Sequence, residues 1–211
     1  MRELTYREAV REALREELRR DESVFLLGED IGGKFGGAYK VTLGLADEFG
    51  DSRVLNTPIA EAAIAGVAAG TALVGMRPIA EIMYIDFMTL ASDLIINCIS
   101  KFRFMTAGNV KMPVVIRTQE GSIGAAGPTH SQCLEAIFMH IPGLIVVLPS
   151  TPYDAKGLLK SAVREDNPVI FVEHKALYGT KGYVPEEEYL IPLGKADMKR
   201  EGSDVIDCSN S

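Results

Sequence analysis

The sequence predicts an α/β fold, a mostly parallel, doubly wound sheet with helices on both faces. Strand-like segments at 24–28, 113–117 and 144–148 are continuous apolar runs rather than alternating ones, as expected of strands covered on both sides. Helical segments separate successive strands, and that alternation implies crossover connections and a parallel sheet. Between two such strands, residues 56–74 are almost wholly small and apolar, with a single carboxylate, Glu61. That pattern predicts a thin helix buried all round.

Each element has a local reason. Thr5 and Glu8 have capping-box spacing, and Val10, Ala13, Leu14 and Leu18 then recur at helical intervals, giving an amphipathic helix over 5–20. After the strand at 24–28 comes a loop with Gly32, Gly33, Gly36 and Gly37 beside Lys34 and Lys40. Bare backbone N–H groups can cradle a phosphate, but this spacing matches neither GxGxxG nor GxxxxGK[ST]. The loop reads as mobile or partner-facing. A short helix at 43–49, a strand at 53–56 and the small-residue helix, opened by Thr57 and Pro58, follow. Next are a strand at 77–83 and a helix at 86–102 with Leu90, Leu94, Ile95 and Cys98 on one stripe. The strand at 113–117 runs into a glycine-punctuated loop to 132, then a helix at 133–140 and a strand at 144–148. Thr151, Pro152 and Asp154 supply a cap, a first-position proline and a first-turn acid for a helix to about 165. The last clear strand is 168–173. Residues 1–174 thus read as one α/β domain, and the polar stretch 175–211 as a linker or arm.

Composition narrows the function. The chain has 211 residues, enough for one substantial core, and 47% apolar with 24% charged residues is globular. A net charge of −7 argues against nucleic acid. Arg15, Arg19 and Arg20 are interleaved with Glu12, Glu16 and Glu17, which makes a solvated face and not a basic stripe. Cys98, Cys133 and Cys208 include no CxxC pair, which argues against a disulfide framework and a cysteine zinc site and suits a reducing compartment. The N-terminus is charged and amphipathic with no apolar signal region, and no stretch reads as a membrane span. A soluble, cytoplasmic protein with no membrane or nucleic-acid partner is expected.

The loops bearing Glu61, residues 84–87 and residues 121–130 each follow a strand. They should meet at the carboxyl edge of the sheet, where such folds bind ligands. A buried Glu61 needs a partner or a shifted pKa. With Thr57 as cap, Ala60 and not Glu61 would take the capping-box position, so Glu61 is a candidate functional carboxylate. His130 is either a proton-handling group or a loop hydrogen-bonder, and Met83 and Phe87 are either core or cofactor wall. His140 and His174 lack partners at metal-ligand spacing, and no Ser-His-Asp order or HExxH is present.

Three runs are distinctive: Thr57-Pro-Ile-Ala-Glu61, Arg77-Pro-Ile-Ala-Glu81 and His130-Ser-Gln132. With Gly28-Glu-Asp30, Lys101-Phe-Arg103, Asp154-Ala-Lys-Gly157 and Asn167-Pro168 they fall in the order found in one family. The chain resembles the β subunits of thiamine-diphosphate-dependent 2-oxoacid dehydrogenases of the pyruvate and acetoin types, from the first helix to about Val205. The resemblance implies a transketolase-like pyrimidine-binding domain. It implies that Glu61 hydrogen-bonds a nitrogen of the cofactor's aminopyrimidine, promoting loss of the thiazolium proton. It further implies that Met83 and Phe87 contact that ring, and that His130 faces the reacting centre. A 2-oxoacid would be decarboxylated and the acyl unit passed to a lipoyl carrier. A potassium site built largely from backbone carbonyls would involve Val114, Ala162, Val163, Glu165 and Asn167.

The family pattern also points outside this chain. No GDG…N motif for diphosphate and magnesium occurs, and in the family that half-site belongs to an α subunit. The resemblance therefore implies an α partner holding the magnesium, an α2β2 heterotetramer and a lipoyl acyltransferase core. It fades at 204–211, where the family's second domain would begin with a strand.

Overall fold

The computed structural model describes residues 1–200, 202 and 207–210, with side chains through 195 and at 202. The expected strand start at 204–206 lies outside the described residues. At the centre are six strands: β2 (Val24–Glu29), β3 (Val54–Thr57), β4 (Arg77–Ile82), β5 (Val115–Glu120), β6 (Ile145–Val147) and β7 (Val169–His174). They lie in the order β3-β2-β4-β5-β7-β6, and every adjacent pair is parallel. An edge pair, β1 (Arg2–Thr5) and β8 (Lys181–Val184), and a second pair, β9 (Ala196–Arg200) and β10 (Asp207–Asn210), are antiparallel.

Two apolar layers explain the unbroken hydrophobic strands. On one face α1 (Tyr6–Arg20) and α6 (Pro152–Arg164) pack Val10, Leu14, Leu158 and Leu159 against Val24, Leu26, Ile79 and Phe171. On the other, α3 (Glu61–Leu73) sets Ile64, Ala65, Ala68 and Ala72 against Phe25, Leu27, Ala80 and Ile116. Successive residues of β2 therefore serve opposite cores. The Thr5/Glu8 capping box forms as the spacing predicts, and Thr151 caps α6. Among the described residues no helix is long and apolar enough to cross a membrane.

Three expectations are corrected. First, α3 begins at Glu61 and not near Thr57, because Asn56 and Thr57 are committed to pairing with Gly28 and Glu29. It is also buried on one side only: Ala62, Ala63, Val67, Gly70 and Leu73 are exposed. Second, 86–102 is not one α-helix. It is 3-10 over Ile85–Ala91 and π over Leu94–Ile99, followed by the short α4 (Phe102–Met105). Hydroxyls compete for its backbone: Thr89 donates to the Asp86 carbonyl (2.8 Å), Ser92 to that of Thr89 (2.6 Å) and Ser100 to that of Ile96 (2.6 Å). The buried stripe is Met88, Ala91, Ile95 and Ile99, with Leu90 outward. Third, the stretch expected to be a linker or arm packs onto the domain over 175–184. The Tyr6 amide donates to the Thr180 carbonyl (2.8 Å), Tyr178 is buried, and β8 pairs with β1.

Candidate active-site cleft

The chain leaves β2 for β3 on one side and leaves β4 for β5 on the other, so the sheet has its switch point between β2 and β4. Open α/β sheets bind ligands in the crevice such a reversal creates. Here it is a cleft of about 510 Å³ lined by Glu29, Ile59, Glu61, Met83, Tyr84, Phe87, Leu90 and His130. Glu61, Met83, Phe87 and His130, drawn from three separate loops, thus line one cleft.

Glu61 is the first residue of α3, behind the N-cap Ala60, which offers no side-chain cap. Its carboxylate is half-buried, contrary to the full burial expected, and makes no hydrogen bond or ion pair among the described residues. The exposed N–H groups of the helix start favour an anion there. Glu29, at the end of β2, is pushed up from the usual carboxylate range by burial and then by the charges of Asp30 and Glu61.

His130 is held on several sides. Its ring meets the edges of Phe87 (5.1 Å between centroids) and Tyr84 (5.6 Å), and Thr129 Oγ1 lies 3.1 Å from its Nδ1. Lys175 donates to its carbonyl and stands 4.0 Å from the Tyr84 ring centroid. Two residues on, Gln132 donates to buried Asp86 Oδ1 through Nε2 (2.8 Å). The loop carrying His130 is therefore fastened to the residues after β4 and β7. Gly121 starts that loop at φ +80°, and a Cβ there would lie 2.3 Å from the His174 ring.

Sequence reasoning missed Glu29, Ile59, Tyr84 and Leu90 as lining residues and Asp86 and Lys175 as supports. Only topology brings them in, although an acid one residue before Phe87 was a usable signal. Within the sheet, Arg117 pairs with Glu173 (2.6 and 2.9 Å) and Glu81 (2.7 Å), all buried, and Tyr178 donates to Glu173 (2.7 Å).

The residues expected to hold potassium lie elsewhere, around the end of α6. The Val114 carbonyl accepts from Val169 (2.9 Å) and that of Ala162 from Glu165 (3.3 Å). Arg77 donates to the carbonyls of Val163 (2.8 Å) and Glu165 (2.6 Å), while Arg103 donates to Asn167 Oδ1 (2.9 Å). The Arg77 guanidinium thus shares this helix end, while each of these carbonyl oxygens keeps a second lone pair.

Residues 2–181 match the transketolase pyrimidine-binding domain family, and the chain belongs to that family. Within it, the chain is similar to β subunits of 2-oxoacid and acetoin dehydrogenases. It is 50% identical over 203 residues to a 2-oxoisovalerate dehydrogenase subunit beta of Bacillus subtilis, covering 96% of this chain and 62% of that one. It is 51% identical to the acetoin:2,6-dichlorophenolindophenol oxidoreductase subunit beta of Cupriavidus necator (97% and 63% covered). It is also 51% identical to a pyruvate dehydrogenase E1 component subunit beta of Gracilaria tenuistipitata var. liui (97% and 63%). The chain thus spans a little over 60% of the length of these relatives. The fold is shared with a solved split-gene transketolase in an inactive beta4 tetramer, at TM-score 0.71 and 23% identity over 94% of this chain and 60% of that one.

Proposed function

We propose that this chain supplies the aminopyrimidine half of a thiamine-diphosphate site in a 2-oxoacid dehydrogenase, completed by an α subunit. The observation that carries the reading is the unpartnered Glu61 carboxylate in a cleft walled by Met83, Tyr84 and Phe87. An aminopyrimidine needs a carboxylate at one ring nitrogen and a flat apolar or aromatic surface beside it, and these residues fit. Glu61 would hold a proton between its carboxylate and that nitrogen. Met83 and Phe87 would fix the ring and exclude water, and His130, buttressed by the two aromatic edges, would face the substrate side and handle protons there. The cofactor, when bound, supplies the electron sink for breaking the bond next to the carbonyl. The α subunit would hold the diphosphate and magnesium, the acyl group would pass to a lipoyl carrier on an acyltransferase core, and the assembly would be α2β2. Pyruvate is the preferred substrate of this reading and acetoin the alternative. A cytoplasmic location, expected from cysteine usage, belongs to the same proposal.

The test is reconstitution with a cognate α subunit and 2-oxoacid-dependent dye reduction. Glu61→Ala is expected to abolish turnover while leaving the unfolding transition nearly in place, since the carboxylate makes no hydrogen bond or ion pair among the described residues. Near-normal turnover in that variant removes Glu61 from the reaction and the proposal with it.

A further inference from the structure

A second group of acids lies at the far end of the loop that carries His130. Glu120 ends β5. Across the loop stand Cys133 and Glu135, the latter opening the short helix α5 (Glu135–Met139). One carboxylate oxygen from each glutamate and the Cys133 sulfur all lie within 4.8 Å of one another. Glu120 is 4% exposed, yet its Oε2 has no hydrogen-bond partner, and Glu135 Oε2 is likewise buried without one. Burial and the neighbouring Glu135 push the Glu120 carboxyl up to about 8. Lys175 carries a compensating charge close by, but its ammonium donates to the His130 carbonyl. The acids are left with unfilled acceptor capacity.

We propose that Glu120, Cys133 and Glu135 form a site for a divalent transition-metal ion, zinc above all. Zinc bonds thiolate at about 2.3 Å and carboxylate oxygen at about 2.0–2.2 Å, so tetrahedral ligand atoms stand roughly 3.4–3.6 Å apart. The three atoms, within 4.8 Å of one another, would have to close by no more than about 1.4 Å to reach that spacing. Sulfur in the donor set disfavours magnesium and calcium. Binding would displace the protons of Glu120 and Cys133, and the three ligands, then anionic, would carry two more negative charges than the nearby ammonium offsets, which a divalent ion neutralises. Cys133 is exposed, so an ion has a path from solvent and a fourth position for water. The sequence excluded a site of paired cysteines, whereas this one mixes a single sulfur with acids from two elements. Its consequence follows from connectivity: the ion would tie β5 to α5 and close the base of the loop bearing His130, already pinned by the Gly121 amide on the Gln132 carbonyl (3.2 Å). The inference is independent of the proposed dehydrogenase role.

The probe is cobalt(II) alone, titrated into the full chain while near-ultraviolet thiolate-to-cobalt charge transfer and visible ligand-field bands are recorded. One equivalent is expected to bind with both bands, and zinc is expected to displace it. Cys133→Ser should lose the charge-transfer band with an unchanged circular-dichroism spectrum, Cys98→Ser should keep it, and Glu120→Gln should weaken binding at least tenfold. Absence of the band in the folded wild-type chain would mean that the two glutamates share a proton only. That result, or a band that survives Cys133→Ser, overturns the proposal.

Discussion

Two pairs of glutamates on one sheet are treated in opposite ways. Glu81 and Glu173, on β4 and β7, are enclosed and both are paired with Arg117, with Gln119 (3.2 Å) and Tyr178 adding bonds. Glu29 and Glu61, at the ends of β2 and the start of α3, face a cleft and have no protein partner among the described residues. The first pair fixes the sheet from within, each carboxylate committed to folding. The second is uncommitted, and an uncommitted carboxylate is what a ligand can use. Position decides which is which: Glu29 is the last residue of β2 and Glu61 the first of α3, both at the crevice, whereas Glu81 and Glu173, one residue short of the ends of β4 and β7, lie beside Arg117.

The largest effect should come from breaking the committed pair. Arg117→Met leaves two buried carboxylates facing each other across β5, and removing one partner of a buried ion pair costs about 3–5 kcal/mol. Urea unfolding should show that loss as a lower midpoint with the slope retained. A loss below about 1 kcal/mol would mean that the network contributes little, and the contrast with the cleft would collapse. Glu61→Ala, by comparison, should leave the midpoint almost unmoved.

The next effect concerns the support of the cleft. Asp86→Ala removes the acceptor that holds Gln132 and should cost about 1.5–3 kcal/mol, the range for a hydrogen bond to a charged group. It should also speed amide exchange across 121–134, the loop bearing His130. Asp86→Asn keeps an acceptor oxygen and should restore most of the protection. Equal exchange in both variants would show that the loop is held by Lys175 and the aromatic edges instead.

The contrast between committed and uncommitted acids was only partly legible in the sequence. The parallel sheet was readable because burial on both faces leaves an unmistakable mark, seen in 24–28 and 144–148. The location of Glu61, Met83, Phe87 and His130 on one edge followed from strand order alone. What could not be read was the state of each carboxylate. Glu81 sits in a motif as similar to that of Glu61 as Arg-Pro-Ile-Ala-Glu is to Thr-Pro-Ile-Ala-Glu, yet one lies in a strand and the other opens a helix. The partner that distinguishes them, Arg117, is 36 residues from Glu81. Full burial of α3 was misread for the same reason: small residues permit close packing on every side, but one chain supplies a neighbour on only one. The 86–102 segment defeated periodicity because its threonine and serine hydroxyls redirect the backbone without altering the apolar spacing.

The smallest effect tests whether the cleft acids are uncommitted in the thermodynamic sense. The Glu29 carboxyl is raised by burial and by the like charges of Asp30 and Glu61. A folded-state pKa above the unfolded value, about 4.3 for glutamate, means the folded chain binds the proton more tightly. The stability it contributes is therefore complete below about pH 4.3 and is lost as pH rises through the raised folded value. Glu29→Gln removes that loss, so it should match wild type in acid and become slightly more stable toward neutrality, by less than about 1 kcal/mol because the group is only half-buried. Thermal melts of the two proteins between pH 4 and 7 would show curves that coincide at the acid end and then separate. Glu29→Gln falling below wild type at pH 7 would mean that Glu29 has a stabilising protein partner, and that this end of the cleft is committed to folding after all.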